Sequence, residues 1–125
     1  MPRILVAEDD DAVRDFVRRA LEHGNHEVVA VPDGGAAVQL LFAGGSEFDL
    51  LLADIRMPVM DGIALALKVA RDLPGLPVLL MTGFADQRER AQALEAIICG
   101  VVQKPFTLEQ ITGAVNTALE KSERS

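Results

Sequence analysis

The chain has 125 residues, 50% of them apolar, so it is the size of one compact domain that can bury a core without disulfides or a structural metal. Its 12 basic and 19 acidic residues give a net charge of -7, which repels a phosphate backbone and argues against direct nucleic-acid binding. A single cysteine, no signal-peptide pattern after Met1 and no apolar run near the roughly 20 residues of a membrane helix predict a cytoplasmic protein without a membrane span.

Short apolar runs rich in branched residues alternate with longer segments of helical period. This alternation is typical of a parallel sheet covered by helices on both faces. The predicted strands are residues 4–7, 28–31, 50–53, 78–81 and 101–103. We therefore predict an α/β fold, a doubly wound (βα)5 three-layer sandwich with a five-stranded parallel sheet.

The first three helices show clear boundaries. Apolar residues of the first recur at three- and four-residue intervals: Val13, Phe16, Val17, Ala20 and Leu21. Gly24 follows where this helix is expected to end. The second helix is predicted between Asp33-Gly34-Gly35 and Gly44-Gly45-Ser46, and the third covers residues 63–73.

The last two helices complete the pattern. A more polar fourth helix begins near Asp86, and its apolar face is predicted to carry Ala91, Leu94, Ile97 and Ile98. Thr107 and Gln110 form a capping-box signature at the start of the fifth. We expect one domain over residues 1–121, followed by a frayed polar tail at 122–125.

Polar groups follow four of the five predicted strands, at the edge where ligands bind in an open parallel sheet. They are Glu8-Asp9-Asp10, Asp54, Thr82-Gly83 and Lys104-Pro105. Carboxylates that converge in one crevice repel each other, so such a cluster normally holds a hard divalent cation. Mg²⁺ is the expected occupant because it combines few carboxylates with waters and phosphate oxygens. One of Asp10 and Asp11 is expected instead to favour the start of the first helix.

An aspartate carboxylate can attack phosphorus and form an acyl phosphate. Asp54 is the predicted acceptor, and the Lys104 ammonium would offset charge on the equatorial oxygens. The Thr82 hydroxyl and the Gly83 amide could each donate a hydrogen bond to a phosphoryl oxygen. Pro105 allows a cis peptide bond after Lys104, but the sequence does not fix the isomer.

These motifs resemble the receiver domains of bacterial two-component signalling, in the CheY-like superfamily, across nearly the whole chain. Residues 51–62, LLADIRMPVMDG, resemble the phospho-acceptor strand and loop of that family, and Glu8 stands where an Asp is more usual. The resemblance implies strand order 2-1-3-4-5 and Mg²⁺ ligation by Glu8, Asp9, Asp54 and the Arg56 carbonyl. It also implies phosphorylation of Asp54 by a histidine kinase or a histidine phosphotransfer protein.

One position departs from the family pattern. Receivers that signal through dimers or motor-type targets usually carry Tyr or Phe three residues before the lysine, and here that residue is Val101. The chain contains no Tyr, so the usual aromatic rotation cannot report phosphorylation. Either Thr82 drives a backbone change, or Phe106 or Phe84 takes the place of the moving ring.

Other stretches resemble a narrower group, the CpdR-type stand-alone receivers of alphaproteobacteria. They are residues 7–10, 61–66 and 82–86. That resemblance implies an adaptor for the ClpXP protease that docks on the ClpX amino-terminal domain when unphosphorylated. The alternative is a relay intermediate that passes phosphate to a histidine phosphotransfer protein.

Two rival functions make use of similar features. A haloacid-dehalogenase-type phosphatase needs a second carboxylate two residues after its nucleophile, and here that residue is Arg56. A flavodoxin-like FMN carrier needs a hydroxyl-rich loop after the first strand and aromatic rings, but the chain offers Glu8-Asp9-Asp10 and no Trp or Tyr. The sequence thus favours a phospho-acceptor that loses its phosphoryl group slowly over a turnover enzyme.

Overall fold

The computed structural model describes residues 1–43, 47–83 and 85–124, apart from the side chains of 85–88 and 122–124. Strands and helices alternate through these residues. The strands are β1 (Arg3–Ala7), β2 (Glu27–Val31), β3 (Leu50–Asp54), β4 (Val78–Thr82) and β5 (Gly100–Gln103). The helices are α1 (Asp11–His23), α2 (Gly34–Leu41), α3 (Gly62–Asp72), α4 (Ala85–Gln92) and α5 (Leu108–Arg124).

The sheet has the order β2-β1-β3-β4-β5 and every pair of neighbours is parallel, as predicted. All five residues of β3 and of β4 are buried, because helices cover both faces of these central strands. The ladder aligns Ala7 with Ala53 and Asp54 with Met81, so the ends of the central strands lie at one level. This alignment brings their terminal side chains to the same edge.

Alternating strand residues form two separate cores. Leu5, Leu51 and Leu80 face α2, α3 and α4, whereas Ile4, Leu52 and Met81 face α1 and α5. The period of two along each strand sends neighbouring side chains to opposite faces, which divides the apolar residues between the layers. No helix within the described ranges combines the length and apolarity needed to cross a membrane.

Short polar side chains begin the helices. Asp10, Asp33 and Asp61 each accept a hydrogen bond from a main-chain amide in the first turn of the helix that follows. In α5 the predicted capping box is present: the Gln110 amide donates to Thr107 Oγ1 at 3.1 Å and the Thr107 amide donates to Gln110 Oε1 at 2.8 Å.

Three predicted boundaries differ from the structure or lie outside it. Helix α4 ends at Gln92, and turns with main-chain bonds such as that from Leu94 to Ala91 follow it. Leu94 and Ile98 still pack on the core, because turns can preserve the three- to four-residue spacing that suggested one helix. Helix α5 extends to Arg124, since the charged residues of the predicted tail are good helix formers. The predicted end of α2 at residues 44–46 lies outside the described residues.

Gly62 is required by a close backbone approach between the end of β3 and the start of α3. Its amide donates to the Ile55 carbonyl at 2.8 Å, and a Cβ at this position would lie 2.3 Å from the Asp54 carbonyl oxygen. Backbone atoms cannot yield as a flexible side chain can. The first turn of α3 is thereby held against the backbone of Asp54.

We expect Gly62→Ala to lower the free energy of unfolding by about 1 to 3 kcal/mol, because the added methyl forces these backbone segments apart. Gly113→Ala is the matched control: a Cβ there has no neighbour within 4 Å, and replacing a glycine inside α5 should add about 0.5 to 1 kcal/mol. Urea unfolding of both variants measures the difference. Equal stabilities would contradict the tight contact at Gly62.

Candidate functional site

The carboxyl ends of four strands bring together the residues that the sequence selected. Glu8 follows β1, Asp54 ends β3, Thr82 ends β4 and Lys104 follows β5. Glu8 and Thr82 are fully buried, and Asp54 is only 5% exposed. Buried polar side chains require hydrogen-bond or ion-pair partners, and neighbouring residues of the site supply them.

Glu8, Asp9 and Asp54 form a compact acidic cluster in which one oxygen from each residue lies within 4.8 Å of the others. Asp9 is the exposed member. Desolvation at the crevice, followed by the hydrogen bond and negative charge of Glu8, raises the pKa of Asp9. The three carboxylates thus repel one another when the site holds no cation.

Lys104 is the cationic member of the site. Its Nζ lies 2.5 Å from Glu8 Oε1 and 3.1 Å from Asp54 Oδ2, and its amide donates to the Thr82 carbonyl at 2.7 Å. Burial alone would lower the pKa of Lys104, but the hydrogen bond that Lys104 donates to Glu8 and the charge of Asp54 outweigh this effect and raise that pKa. A Cβ on Gly83 would lie 4.0 Å from Lys104 Cδ, so Gly83 also borders the site. The Lys104-Pro105 bond is cis.

This raised pKa predicts a loss of stability at alkaline pH. The ion pairs stabilise the fold fully below the unfolded-state pKa of lysine, near 10.5, and their contribution disappears as the pH rises through the higher folded-state pKa. Urea unfolding at about pH 9, 10 and 11 should show a midpoint that changes little from pH 9 to 10 and falls by pH 11. Lys104→Arg is the control, because arginine stays charged over this range. The same decline in both proteins would contradict the role of Lys104.

Two contacts of Glu8 were not foreseen from the sequence. Its Oε2 accepts from the Asp10 amide at 3.1 Å, and its main-chain carbonyl accepts from Arg14 Nη1 at 2.9 Å. Asp10 also caps α1, and Asp11 lies in the first turn of this helix, so both carboxylates are placed to favour its start. The one available signal was that Arg14 lies in the first turn of the helix after the acidic cluster, where its side chain can reach back toward Glu8.

The cluster fits Mg²⁺. Its donors are all carboxylate oxygens, two of the three residues are buried, and Lys104 offsets only part of their charge. Glu8, Asp9 and Asp54 would hold the ion, which would supply positive charge next to a phosphoryl group. A cation at Glu8 Oε1 would compete with Lys104 for that oxygen. Ligation by the Arg56 carbonyl stays a prediction; Arg56 lies on the exposed turn after β3.

Phe106, one of the predicted replacements for the missing aromatic residue, does not lie near Val101. Val101 packs with the core beneath α3 and α4, whereas Phe106 packs with the core beneath α1 and α5. The ring of Phe106 lies 6.3 Å from that of Phe16, between centroids. Phe106 is therefore on the opposite face of the sheet from Val101. Phe84 lies outside the described residues.

Comparison with known proteins agrees with this fold and site. The family model of the response regulator receiver domain matches residues 4–116. The chain belongs to the response regulator receiver domain family of two-component signalling.

Individual relatives cover most of the chain. It is 36% identical over 119 residues to the response regulator receiver protein CpdR of Brucella abortus, with 95% of this chain and 98% of that protein aligned. It is 31% identical to the response regulator MprA of Mycobacterium sp. (strain KMS) over 96% of this chain, but it spans only 51% of MprA. A CheY-like receiver domain protein from Methanospirillum hungatei superimposes with a TM-score of 0.86 at 26% identity, over 99% of this chain and 98% of that one.

Proposed function

We propose that this chain is a phospho-acceptor that takes a phosphoryl group on Asp54 with the help of Mg²⁺ and changes its binding partner as a result. One observation carries the proposal: the nearly buried Asp54 carboxylate ends a strand, 3.1 Å from Lys104 Nζ and within 4.8 Å of the Glu8 and Asp9 carboxylates. If Asp54 served only to cap a turn, the fold would not require a lysine and two further carboxylates beside it.

Each residue of the site has its own role in phosphoryl transfer. An Asp54 carboxylate oxygen forms a bond to phosphorus while the bond from phosphorus to the donor histidine nitrogen breaks, and that nitrogen keeps the electron pair. Lys104 would turn from Glu8 toward the phosphoryl oxygens, where the Thr82 hydroxyl and the Gly83 amide donate further hydrogen bonds. The chain contributes positioning and charge, which is most of what this reaction needs.

We further propose that the chain is not a turnover enzyme. Arg56 occupies the position two residues after Asp54 where a phosphatase of the haloacid dehalogenase type carries its acid and base. An arginine cannot remove a proton from the attacking water, so the acyl phosphate should persist.

Labelling with a small phosphodonor tests the proposal. The protein is incubated with acetyl phosphate and either MgCl₂ or EDTA, and intact mass spectrometry measures the addition of one phosphoryl group. We expect labelling only with Mg²⁺, and peptide mapping after reduction of the acyl phosphate should place it at Asp54. Equal labelling in EDTA, or labelling at another residue, would contradict the proposal.

For the output we favour a CpdR-like adaptor for the ClpXP protease, with the ClpX amino-terminal domain as partner. The supporting observation is the 36% identity to CpdR of Brucella abortus over nearly the full length of both chains. The second candidate is a phosphorelay intermediate that returns phosphate to a histidine phosphotransfer protein. Cytoplasmic location stays a prediction from the sequence.

A pull-down with and without beryllofluoride, a phosphoryl mimic, separates the two candidates. Retention of an AAA+ unfoldase only without the mimic supports the adaptor, and capture of a histidine phosphotransfer protein alone supports the relay. Asp54→Asn serves as a control, because its binding should not respond to beryllofluoride.

We propose that the phosphodonor protein packs on an apolar rim beside Lys104. A cavity of about 480 Å³ opens there, with walls that include Val13, Phe16, Pro105 and Phe106. The donor histidine has to reach Asp54 across this rim, so a donor helix with apolar side chains can pack on it. Phe16 is 40% exposed and so is available for such packing.

We expect Phe16→Ala to slow phosphotransfer from a histidine phosphotransfer protein by about 10-fold, because an aromatic contact is lost. Labelling by acetyl phosphate, which needs no docking surface, should be unchanged. Phe42→Ala is the matched control, since Phe42 is equally exposed at 40% but lies at the end of α2. A similar slowing with both phosphodonors would contradict a docking role.

A further inference from the structure

Arg14 joins three points of the acidic loop between β1 and α1. Its Nη1 donates to the Glu8 carbonyl at 2.9 Å and its Nη2 is paired with the Asp11 carboxylate. The amide of Arg14 donates to the Asp10 carbonyl at 2.9 Å. The side chain is only 23% exposed, so it lies along the loop and does not extend into solvent.

The Glu8 carbonyl needs a donor at this place. The ladders of β1 end at Ala7, which is aligned with Val31 and Ala53, and the Glu8 amide makes one last bond to Val31 at 3.1 Å. Glu8 is fully buried, and a buried carbonyl without a hydrogen-bond partner destabilises the fold. Arg14 supplies the bond that the sheet no longer provides.

This carbonyl belongs to the peptide unit that links Glu8 to Asp9, two of the three residues of the acidic cluster. The orientation of a peptide plane restricts the directions in which the side chains on either side of it leave the backbone. The charge of Arg14 is already paired with Asp11, so its effect on the site comes from this hydrogen bond more than from its positive potential.

We propose that Arg14 is a positioning residue of the cation site, which holds the Glu8–Asp9 peptide so that both carboxylates face the same ion. The inference rests on the proposed Mg²⁺ site. Partners that orient metal ligands in this way typically change metal affinity by about 10- to 100-fold when they are removed. A residue that only stabilised the fold would leave the affinity of the folded protein unchanged.

Isothermal titration with MgCl₂ tests the proposal on Arg14→Met. We expect Mg²⁺ binding about 10-fold weaker than in the unmodified chain, with partial recovery in Arg14→Lys, which keeps one donor. Arg18→Met is the matched control: it removes the same charge from the same helix, where Arg18 pairs with Asp15 and Glu22. Its Mg²⁺ affinity should stay within about 2-fold of the unmodified chain.

Labelling by acetyl phosphate over a range of Mg²⁺ concentrations gives an independent readout. Arg14→Met should label slowly at low Mg²⁺ and reach the normal rate at saturating Mg²⁺, because the other residues of the site are intact. If the folded variant binds Mg²⁺ as tightly as the unmodified chain, the proposal is wrong. If Arg14→Met does not fold, the affinity of Arg14→Lys decides in the same way. Absence of Mg²⁺ binding to the unmodified chain would overturn the proposed function as well.

Discussion

Asp54→Asn is expected to reduce phosphoryl labelling by about 1,000-fold or more, to background, because it removes the nucleophile and leaves an amide of the same shape. The fold should persist. Lys104 retains its contact with Glu8, and the loss of one of three clustered negative charges relieves repulsion. Intact mass spectrometry after incubation with acetyl phosphate and Mg²⁺ measures the labelling, and urea unfolding measures stability.

Asp33→Asn is the control for this substitution. Asp33 follows β2 at the same edge of the sheet and caps α2 by accepting from the Ala36 amide at 2.7 Å, a role that asparagine also performs. Its labelling should therefore be normal. Continued labelling of Asp54→Asn at another carboxylate would show that the acceptor has been misassigned, and unfolding of this variant would show that Asp54 is structural.

Lys104→Met is expected to have opposite effects on metal binding and on phosphorylation. Without the ammonium, Glu8 Oε1 is free for a cation and the cluster has no fixed positive charge, so Mg²⁺ should bind about 10-fold more tightly. Labelling should nevertheless fall by about 100-fold, because no lysine offsets the charge on the phosphoryl oxygens. In the absence of Mg²⁺ the variant should lose about 3 to 5 kcal/mol of stability, since Glu8 is left buried without its ion pair.

Titration with MgCl₂, labelling and urea unfolding check the three parts of this prediction. Added Mg²⁺ should restore much of the lost stability, since it replaces the missing positive charge. Lys104→Arg is the control, because it keeps the charge and should bind Mg²⁺ no more tightly than the unmodified chain. Weaker Mg²⁺ binding by Lys104→Met would show that Lys104 organises the carboxylates and does not compete with the cation.

The position of Phe106 limits which surface the proposed phosphorylation could change by moving this ring. Because it packs with α1 and α5, movement of its ring would alter the face that also carries Phe16, and not the face of α4 and β5 next to Val101. Thr82 ends β4, immediately before the segment that leads into α4. A backbone change that starts at Thr82 is thus the more direct route to that second face.

The site residues could be predicted from sequence because each follows a run of branched apolar residues, and parallel strands present their carboxyl ends at one edge. Glu8, Asp54, Thr82 and Lys104 all lie where this rule places them. The contacts of Arg14 could not be predicted in this way. A side chain that reaches six residues back to a carbonyl leaves no periodic pattern, since its partner is a backbone atom that every residue has.

The end of helix α4 could not be predicted from the sequence either. Its apolar spacing predicted a helix that continued to Ile98, yet the chain forms turns after Gln92 that keep Leu94 and Ile98 in the core. Burial depends on which side chains reach the core, and more than one backbone path can bring them there. Spacing alone therefore cannot fix where a helix ends.

Hydrophobic periodicity and local motifs are properties of neighbouring residues, so the five alternating units and their polar strand ends could be predicted from the sequence, and the choice of Asp54 as the acceptor is a prediction of the same kind. The contacts of Lys104 with Glu8 and Asp54, 96 and 50 residues away, and the hydrogen bond from Arg14 to Glu8 follow from the folded structure alone. Pairings of this kind depend on distances of a few ångströms between residues far apart in the chain, and packing of the whole sheet and its helices sets those distances.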